Sequence, residues 1–598
     1  MATTAPFVLL DDMRAGCERM TLFREPTATF AAWEPCDVEQ ALERVGQAKA
    51  DGLHAAGYLS YELGYVLEPR LLPLLPARRD LPLLWFALFD RREELSGADA
   101  ASWLKRQRHG SAYAGPLHFS ETIESYEEKF RRVRDYIDDG DVYQTNLTFG
   151  AQFAFVGDPL ALYERLRVDA GAGHGAYLFD GTRNILSFSP EQFFAIAEGR
   201  LTARPMKGTA PRAEDPATDA RLRDALRASE KNRAENLMIV DLIRNDLGRV
   251  SKIGTVRASN LFEIETFPTV HQMVSTVSGE LSGNITVSEL LRSVFPCGSV
   301  TGTPKIRAME VIRELETIPR GIYCGAIGVF SPDGTAAFNV AIRTLTIAGR
   351  SGRLGVGSAV VADSKADLEY EECLLKALYY QANRRSISLI ETLLHLPKDG
   401  FVRGELHLAR LVRSAAELGL PFDRGSALRG LQKAVADRNG AFRLRLEMYE
   451  DGTFNVECTP FEVPAPGTVW TYVFSNHRVQ SADPLARHKT SWRKLFDEER
   501  AAWNAKGCDE VLYLNERGEV AEGSATSLFA RICGRLVTPP LSSGVLDGCL
   551  RRSILDSGEC EEGVLYPNDL ARADVVYLGN SLRGLIRAVP ITDKVLPL

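Results

Sequence analysis

No two of the ten cysteines form a C-x-x-C pair. The spacings that would signal a zinc site or a disulfide framework are therefore missing, and reduced thiols in a cytoplasmic setting are expected. Excess positive charge is missing too. The formal net charge is −8, which argues against nucleic acid or an anionic membrane as the main partner and leaves acidic substrates dependent on local basic sites. Long apolar runs are absent. The most apolar stretch, Leu71 to Phe89, is broken by prolines and by Arg78-Arg79-Asp80, so it is not read as a membrane span. Met1 to Leu10 has neither a basic region nor a long apolar core and is not read as a signal peptide.

What is present is ordinary globular composition, 45% hydrophobic and 25% charged. The length of 598 residues exceeds one domain and by itself suggests about three to five. The first half reads as α+β, with antiparallel hairpins and helices packed on the sheets. Strands are expected at Phe7–Leu10, Tyr58–Glu62, Asp141–Phe149, Phe193–Ala197, Val270–Val274, Ala336–Ile347 and Leu354–Ala362, with a hairpin about Asp180-Gly181. Helices are expected at Val38–Ala50, Thr122–Asp139, Leu160–Arg167 and, as one long element, Ala217–Arg249. The glycine-rich loop Pro296–Lys305 opens onto a further helix, and its backbone N–H groups could hold a carboxylate or phosphate. It lacks the G-x-x-x-x-G-K-[ST] spacing of a P-loop. Near Ala382–Ser388 the pattern restarts, with a strand at Ile387–Leu394, a helix opening at Gly404 and no flexible Gly/Ser linker. The expected domains are 1–385 and 388–598.

Lys207 lies in Arg204-Pro205-Met206-Lys207-Gly208-Thr209. Proline stiffens the entry and glycine lets the backbone turn close to a ligand, although a lone lysine there also reads as a plain turn residue. Glu235, Glu369 and Glu372 are acids on helices; carboxylates suit a hard cation such as Mg²⁺, and each alone also reads as a solvated face. Glu369, Glu372 and Lys376 share one helix face. Glu191, Lys207, His271, Arg343 and Lys376 would add acid–base, nucleophilic and carboxylate-binding groups.

Five motifs then follow in order: Ser189-Pro190-Glu191-Gln192-Phe193, Pro205-Met206-Lys207-Gly208-Thr209, the run Arg233 to Arg249 (RAENLMIVDLIRNDLGR), Gly298 to Lys305 (GSVTGTPK), and Glu369 to Ala377 (EYEECLLKA). Together they resemble the chorismate-utilising enzymes over roughly Phe7 to Arg385. The resemblance implies an anthranilate synthase component I-like fold of antiparallel sheets with packed helices. It implies Mg²⁺ on Glu235 and Glu372 with Glu369 nearby, Glu191 as general acid, and His271 beside the reacting ring. Tyr323, Arg343, Lys376, Thr301 and backbone at Gly355 and Gly357 would hold carboxylates. Gln144 stands where water-adding members carry lysine, and Lys207 where anthranilate-forming members typically carry alanine. A lysine at 207 points to the branch that forms aminodeoxychorismate through a covalent lysine adduct; anthranilate formation is the rival. The nucleophile-elbow cysteine of a glutaminase is missing, and Cys297 does not match it, so a separate glutamine amidotransferase is the expected ammonia-donating partner.

The second half offers Ala486 to Thr490 (ARHKT), Glu519 to Phe529 (EVAEGSATSLF), Gly544 to Arg551 (GVLDGCLR) and Gly579 to Gly584 (GNSLRG). A lysine able to form a Schiff base, an acid for a pyridinium nitrogen and a glycine at a helix start describe a pyridoxal phosphate site. In order, they resemble the fold type IV, branched-chain aminotransferase-like family, a two-layer α/β fold, over roughly Ser388 to Leu598. The resemblance implies Lys489 as the cofactor lysine, Glu522 at the pyridine nitrogen, and Arg410, Gly548, Cys549 and Ser581 around the cofactor. Arg583 would take a substrate carboxylate. Ser527, Asp547 and Leu550 depart from the aminotransferase pattern, and the ending GNSLRG resembles the pyruvate-eliminating lyase subgroup. The joint expectation is a cytoplasmic bifunctional enzyme making 4-aminobenzoate for folate, with a homodimer through the second domain. The rival is a second domain that is a catalytically silent scaffold.

Overall fold

The computed structural model describes residues 5–14, 16–267, 270–381, 384 and 386–591. The expected junction at Ala382–Ser388 lies in part outside them. The chain divides into two compact units, 1–107 with 117–153 and 162–383, and 108–116 with 154–161 and 384–598. Two units replace the three to five suggested by length because two large antiparallel sheets tie distant parts of the first unit together. Strand Phe7–Asp12 pairs with His174–Phe179, and Ala326–Phe330 pairs with His54–Leu59.

Those sheets face each other across one buried cluster. Val8, Ala176, Leu178 and Ile185 enter it from one sheet, and Ala56, Tyr58, Trp85 and Ile327 from the other. The far face of the second sheet is covered by helices Pro35–Ala50, Glu230–Gly248, Val287–Val294 and Lys305–Leu315, which bury Leu42, Ile239, Leu291 and Met309 against Phe194, Leu201 and Phe338.

Two expected elements are broken, each for a local reason. The long helix over Ala217–Arg249 is two helices, Pro216–Ala228 and Glu230–Gly248. Ser229 between them is extended, and its hydroxyl accepts the N–H of Asn232; a serine so placed starts a new helix. The strand over Ala336–Ile347 is also two. Ala336–Val340 belongs to one sheet and Thr344–Ala348 to the other. The chain crosses between them at Ala341–Arg343, where Arg343 takes a positive φ of 49°. A matching crossing in the opposite direction lies at Ser189–Glu191, between strands Asn184–Ser189 and Gln192–Ala197. The two crossings are sewn together. Ser189 Oγ donates to the Val340 carbonyl at 2.6 Å, Val340 N–H to Glu191 O at 3.1 Å, and Phe188 N–H to Arg343 O at 3.0 Å.

The second unit holds a four-stranded antiparallel sheet and an eight-stranded mixed sheet. In the smaller sheet, Leu389–Leu396 pairs with Phe442–Met448. In the larger, Val469–Val479 runs parallel to both Glu510–Asn515 and Gly584–Pro590. Among the described residues no helix is long and apolar enough to cross a membrane.

Asp11 shows what the first unit's packing tolerates. Its carboxylate, 1% exposed, takes two hydrogen bonds from Arg167 at 2.6 and 2.7 Å and one from the Tyr163 hydroxyl at 2.9 Å. Replacing Arg167 by methionine leaves that charge buried and unpaired. The expected loss is about 3–5 kcal/mol, read as a fall in the first unit's urea midpoint with the second unit's transition unmoved.

Candidate active sites

In the first unit, Lys207 is carried by strand Met206–Pro211, which pairs with Val270–Glu280. The register slips between Met206 and Thr209, and Gly208 has φ +93°. A bulge of this kind re-aims a side chain out of the sheet's alternation. Glu191 sits on the inter-sheet crossing and is only 4% exposed. Burial pushes its carboxyl up to about 7, while the Ser299 hydroxyl, donating to Oε1 at 2.7 Å, and the charges of Lys207 and Lys376 pull it back. Burial and the positive charge of Lys376 lower the Lys207 amine, against the pull of Glu191, Glu235 and Glu372. The result is a carboxyl group inclined to keep its proton beside an amine inclined to lose one.

The three acids predicted for a metal belong to the same electrostatic neighbourhood. Burial raises the Glu235 carboxyl, and the like charges of Glu369 and Glu372 raise it further. Burial works to raise Glu372, but Lys376, 2.7 Å away, carries it below its ordinary value. Glu369 accepts the Ser364 hydroxyl at 2.7 Å. The ligand atoms of these three acids are not all within 4.8 Å of one another. Their chemistry nonetheless fits Mg²⁺: three mutually repelling carboxylates, which a hard cation would relieve.

The predicted carboxylate-binding groups are placed as follows. Lys376 Nζ donates to the Gly357 carbonyl at 2.8 Å. A Cβ at Gly355 would come 2.3 Å from the Tyr323 ring, so glycine there is what admits the buried tyrosine. Arg343 is half-buried, its charge disfavoured by burial, and among the described residues it makes no ion pair. The Thr301 hydroxyl is used locally, donating to Cys297 O at 2.8 Å. In the glycine-rich loop, the N–H groups of Val300 and Thr301 are likewise spent, on Cys297 O and Gly298 O. His271 is held between Thr266 and Asp219, each 3.0 Å from one ring nitrogen. Gln144 Nε2, Thr145 Oγ1, Thr303 Oγ1 and Asn236 Nδ2 are among the buried polar atoms without a hydrogen-bond partner in the described residues. Gln144 and Thr303 are register neighbours, so part of this unmet capacity is adjacent.

In the second unit, a cavity of about 670 Å³ is lined by Lys489, Glu522, Arg410, Gly548, Cys549, Ser581 and Arg583 among others. Burial, then the charge of Arg410, lowers the Lys489 amine to about 8. Burial raises Glu522 to about 7, although it accepts the Leu546 N–H at 3.0 Å. Gly548 caps helix Cys549–Asp556, and a Cβ on it would meet Ser527 Oγ at 2.7 Å. A helix start kept open by glycine suits a phosphate. Arg410 is locked by Glu391 through two hydrogen bonds of 2.8 and 2.7 Å. Glu391 also holds His407 at 2.6 Å, and His407 reaches Ser581 Oγ at 2.8 Å. Glu391, His407 and Cys549 are the one metal-like trio among the described residues. Both oxygens of Glu391 are committed to cations, so the trio is a positioning hub. A half-buried, proton-shedding lysine, a half-buried acid and an open helix start, gathered on one cavity, together fit pyridoxal phosphate.

Residues 6–380 match the family model described as chorismate binding enzyme. The chain belongs to the chorismate binding enzymes. Residues 388–591 match the model described as amino-transferase class IV, the fold type IV aminotransferase-like part. Among relatives of this family member, the aminodeoxychorismate synthase of Streptomyces pristinaespiralis is 45% identical over 262 residues, covering 44% of this chain and 36% of the relative. The aminodeoxychorismate synthase component 1 of Salmonella typhimurium is 39% identical over 341 residues, 53% of this chain and 74% of the relative. This chain thus spans about a third of the first and three quarters of the second. The crystal structure of anthranilate synthase component I from Streptococcus pneumoniae, 24% identical, superposes with a TM-score of 0.52 over 61% of this chain and 92% of that one, a likeness of fold.

Sequence reading passed over Ser299, which holds Glu191, and Glu391, which organises the second cavity. Glu391 had a signal: it is the lone acid in the apolar run Leu389-Ile390-Glu391-Thr392-Leu393-Leu394, and a carboxylate buried there needs a cationic partner. Ser299 had none, because its partner lies 108 residues away.

With an amine near 8, Lys489 should be trapped by pyridoxal phosphate and borohydride at neutral pH ahead of the ordinary lysines. Peptide mapping should place the label there, and Lys489→Ala should remove it.

Proposed function

We propose that this chain makes 4-aminobenzoate for folate in two steps, from chorismate and ammonia. The observation that carries the reading is Lys207: within a chorismate binding enzyme, an amine inclined to be neutral stands in the same buried neighbourhood as a carboxyl group near 7.

In the first step the neutral Lys207 amine attacks C2 of the ring. The double bonds shift around the ring and the C4 hydroxyl leaves as water, taking its proton from Glu191. Ammonia then adds at C4, the shift reverses, and the C2–nitrogen bond to Lys207 breaks; Glu191 takes back the proton that ammonia loses. The product is 4-amino-4-deoxychorismate. Glu235, Glu369 and Glu372 would hold Mg²⁺, which would supply positive charge for the ring carboxylate. Arg343, Lys376, Tyr323, Thr301 and backbone at Gly355 and Gly357 serve the carboxylates, with His271 on the ring side.

In the second step, pyruvate leaves C3 and the ring becomes aromatic. Pyridoxal phosphate, held by Lys489, Glu522, Arg410, Gly548, Cys549 and Ser581, would supply an electron sink for the charge left at C4. Lys489, its amine lowered to about 8 by burial and by Arg410, moves the C4 proton. Glu522 fixes the proton at the cofactor's ring nitrogen, and Arg583 takes a substrate carboxylate.

The printed name of the Salmonella relative, component 1, supports a separate glutamine amidotransferase as ammonia donor. A cytoplasmic location and a homodimer through the second unit complete the reading.

Purified chain given chorismate, Mg²⁺, pyridoxal phosphate and ammonium should release 4-aminobenzoate and pyruvate in equal amounts. Accumulated aminodeoxychorismate would make the second unit a scaffold, and anthranilate would overturn the role of Lys207. Because Glu191 acts protonated, kcat/KM of the first step should fall as pH rises through about 7. Ser299→Ala removes a donor that favours the ionised carboxylate, so it should move that falling limb to higher pH; Glu191→Gln should cost about a hundredfold or more.

A further inference from the structure

The second cavity carries more positive charge than its cofactor requires. Six arginines line it. Three are neutralised by acids: Arg410 by Glu391, Arg445 by Glu447 at 2.8 Å and Arg493 by Asp497 at 3.0 Å. The other three, Arg443, Arg500 and Arg583, make no ion pair among the described residues.

These three come from separate elements. Arg443 lies on strand Phe442–Met448, Arg500 on helix Lys494–Asn504, and Arg583 just beyond strand Val575–Asn580. They nevertheless converge on one cavity, whose wall all three line, and the Arg583 charge is disfavoured by burial and then by Arg500 and Arg443. Arg583 is fixed in place over the rings of Phe461 and Trp470, with centroids at 5.6 and 5.5 Å. Arg500 Nε is buried without a hydrogen-bond partner. Like charges gathered in a cavity with an unmet donor cost free energy until an anion arrives. Guanidinium groups match carboxylates in a two-pronged geometry that ammonium groups cannot reproduce. The cofactor phosphate would be served elsewhere, by the open helix start at Gly548 and by Arg410.

We infer that Arg443, Arg500 and Arg583 form a subsite for a dianion, which grips both carboxylates of the second site's substrate. The inference rests on the reading of that site as acting on a dicarboxylate. It assigns binding roles to Arg443 and Arg500, and it makes the second site selective for dicarboxylates over monocarboxylates.

The test uses the full chain loaded with pyridoxal phosphate. Binding of 3-(carboxymethoxy)benzoate, with two carboxylates, and of benzoate, with one, is followed by the change in cofactor absorbance and by calorimetry. The dianion should bind at least tenfold more tightly, and Arg500→Gln and Arg443→Gln should each remove most of that advantage, with Arg500→Lys restoring part. In turnover of aminodeoxychorismate, the glutamine variants should raise KM at least tenfold with kcat within about threefold. First-step turnover and the cofactor spectrum report that each variant is folded, and Arg443, being exposed, tolerates replacement. Equal binding of the two probes, or variants that bind the dianion as wild type does, overturns the subsite. Wild-type chain that binds the dianion tightly yet releases no pyruvate overturns the lyase reading and leaves the subsite standing.

Discussion

Both candidate sites depend on one constraint: an amine and a carboxyl group are shielded from water together. In water the amine would hold its proton and the carboxyl would not. Burial penalises the charged form of each, so both preferences weaken at once. Glu191 and Glu522 are both carried to about 7, and Lys489 to about 8, with Lys207 moved in the same direction. Every tenfold change in proton affinity corresponds to about 1.4 kcal/mol of interaction that favours one protonation state over the other. The surrounding fold must supply that free energy through packing, and the two units do so differently.

In the first unit the acid is mounted on the seam between two sheets. Glu191 lies on one crossing and Arg343 on the other, and main-chain hydrogen bonds join them. In the second unit the mounting is ionic. Glu391 is buried with Arg410 and His407, and those two extend to the Asp547 carbonyl and to Ser581. Such a hub stabilises little in net terms, since desolvation offsets the attraction. What it fixes is direction. Arg410 is held against Glu391 with one guanidinium nitrogen still reaching toward the loop before Gly548.

The sequence was most readable where chemistry is written in contiguous runs. Lys207, Glu235 and Lys489 stand in motifs long enough to identify their families, and the helix carrying Glu235 lies within the run where periodicity placed one; Lys207 instead sits on a strand that was not expected, Met206–Pro211, and Lys489 on no regular element. Legibility failed at points of discontinuity. The helix break at Ser229 is a single capping hydroxyl inside a run that is helical on both sides. The crossing at Ala341–Arg343 interrupts a segment whose apolar pattern suits either sheet. Partnerships across long separations, such as Ser299 with Glu191 or Arg443 with Arg500 and Arg583, are properties of topology and leave no local pattern.

The paired crossings also have a mechanical meaning. Two strands leave one sheet and enter the other side by side, in opposite directions, so they act as a double rivet through the sandwich. A sheet pinned this way cannot slide past its neighbour without dragging Glu191 and Arg343 with it. The seam that holds Glu191 and Arg343 is therefore tied from both sides, whereas the helices that carry Glu235 and Glu372, and the edge strand that carries Lys207, lie outside the rivet.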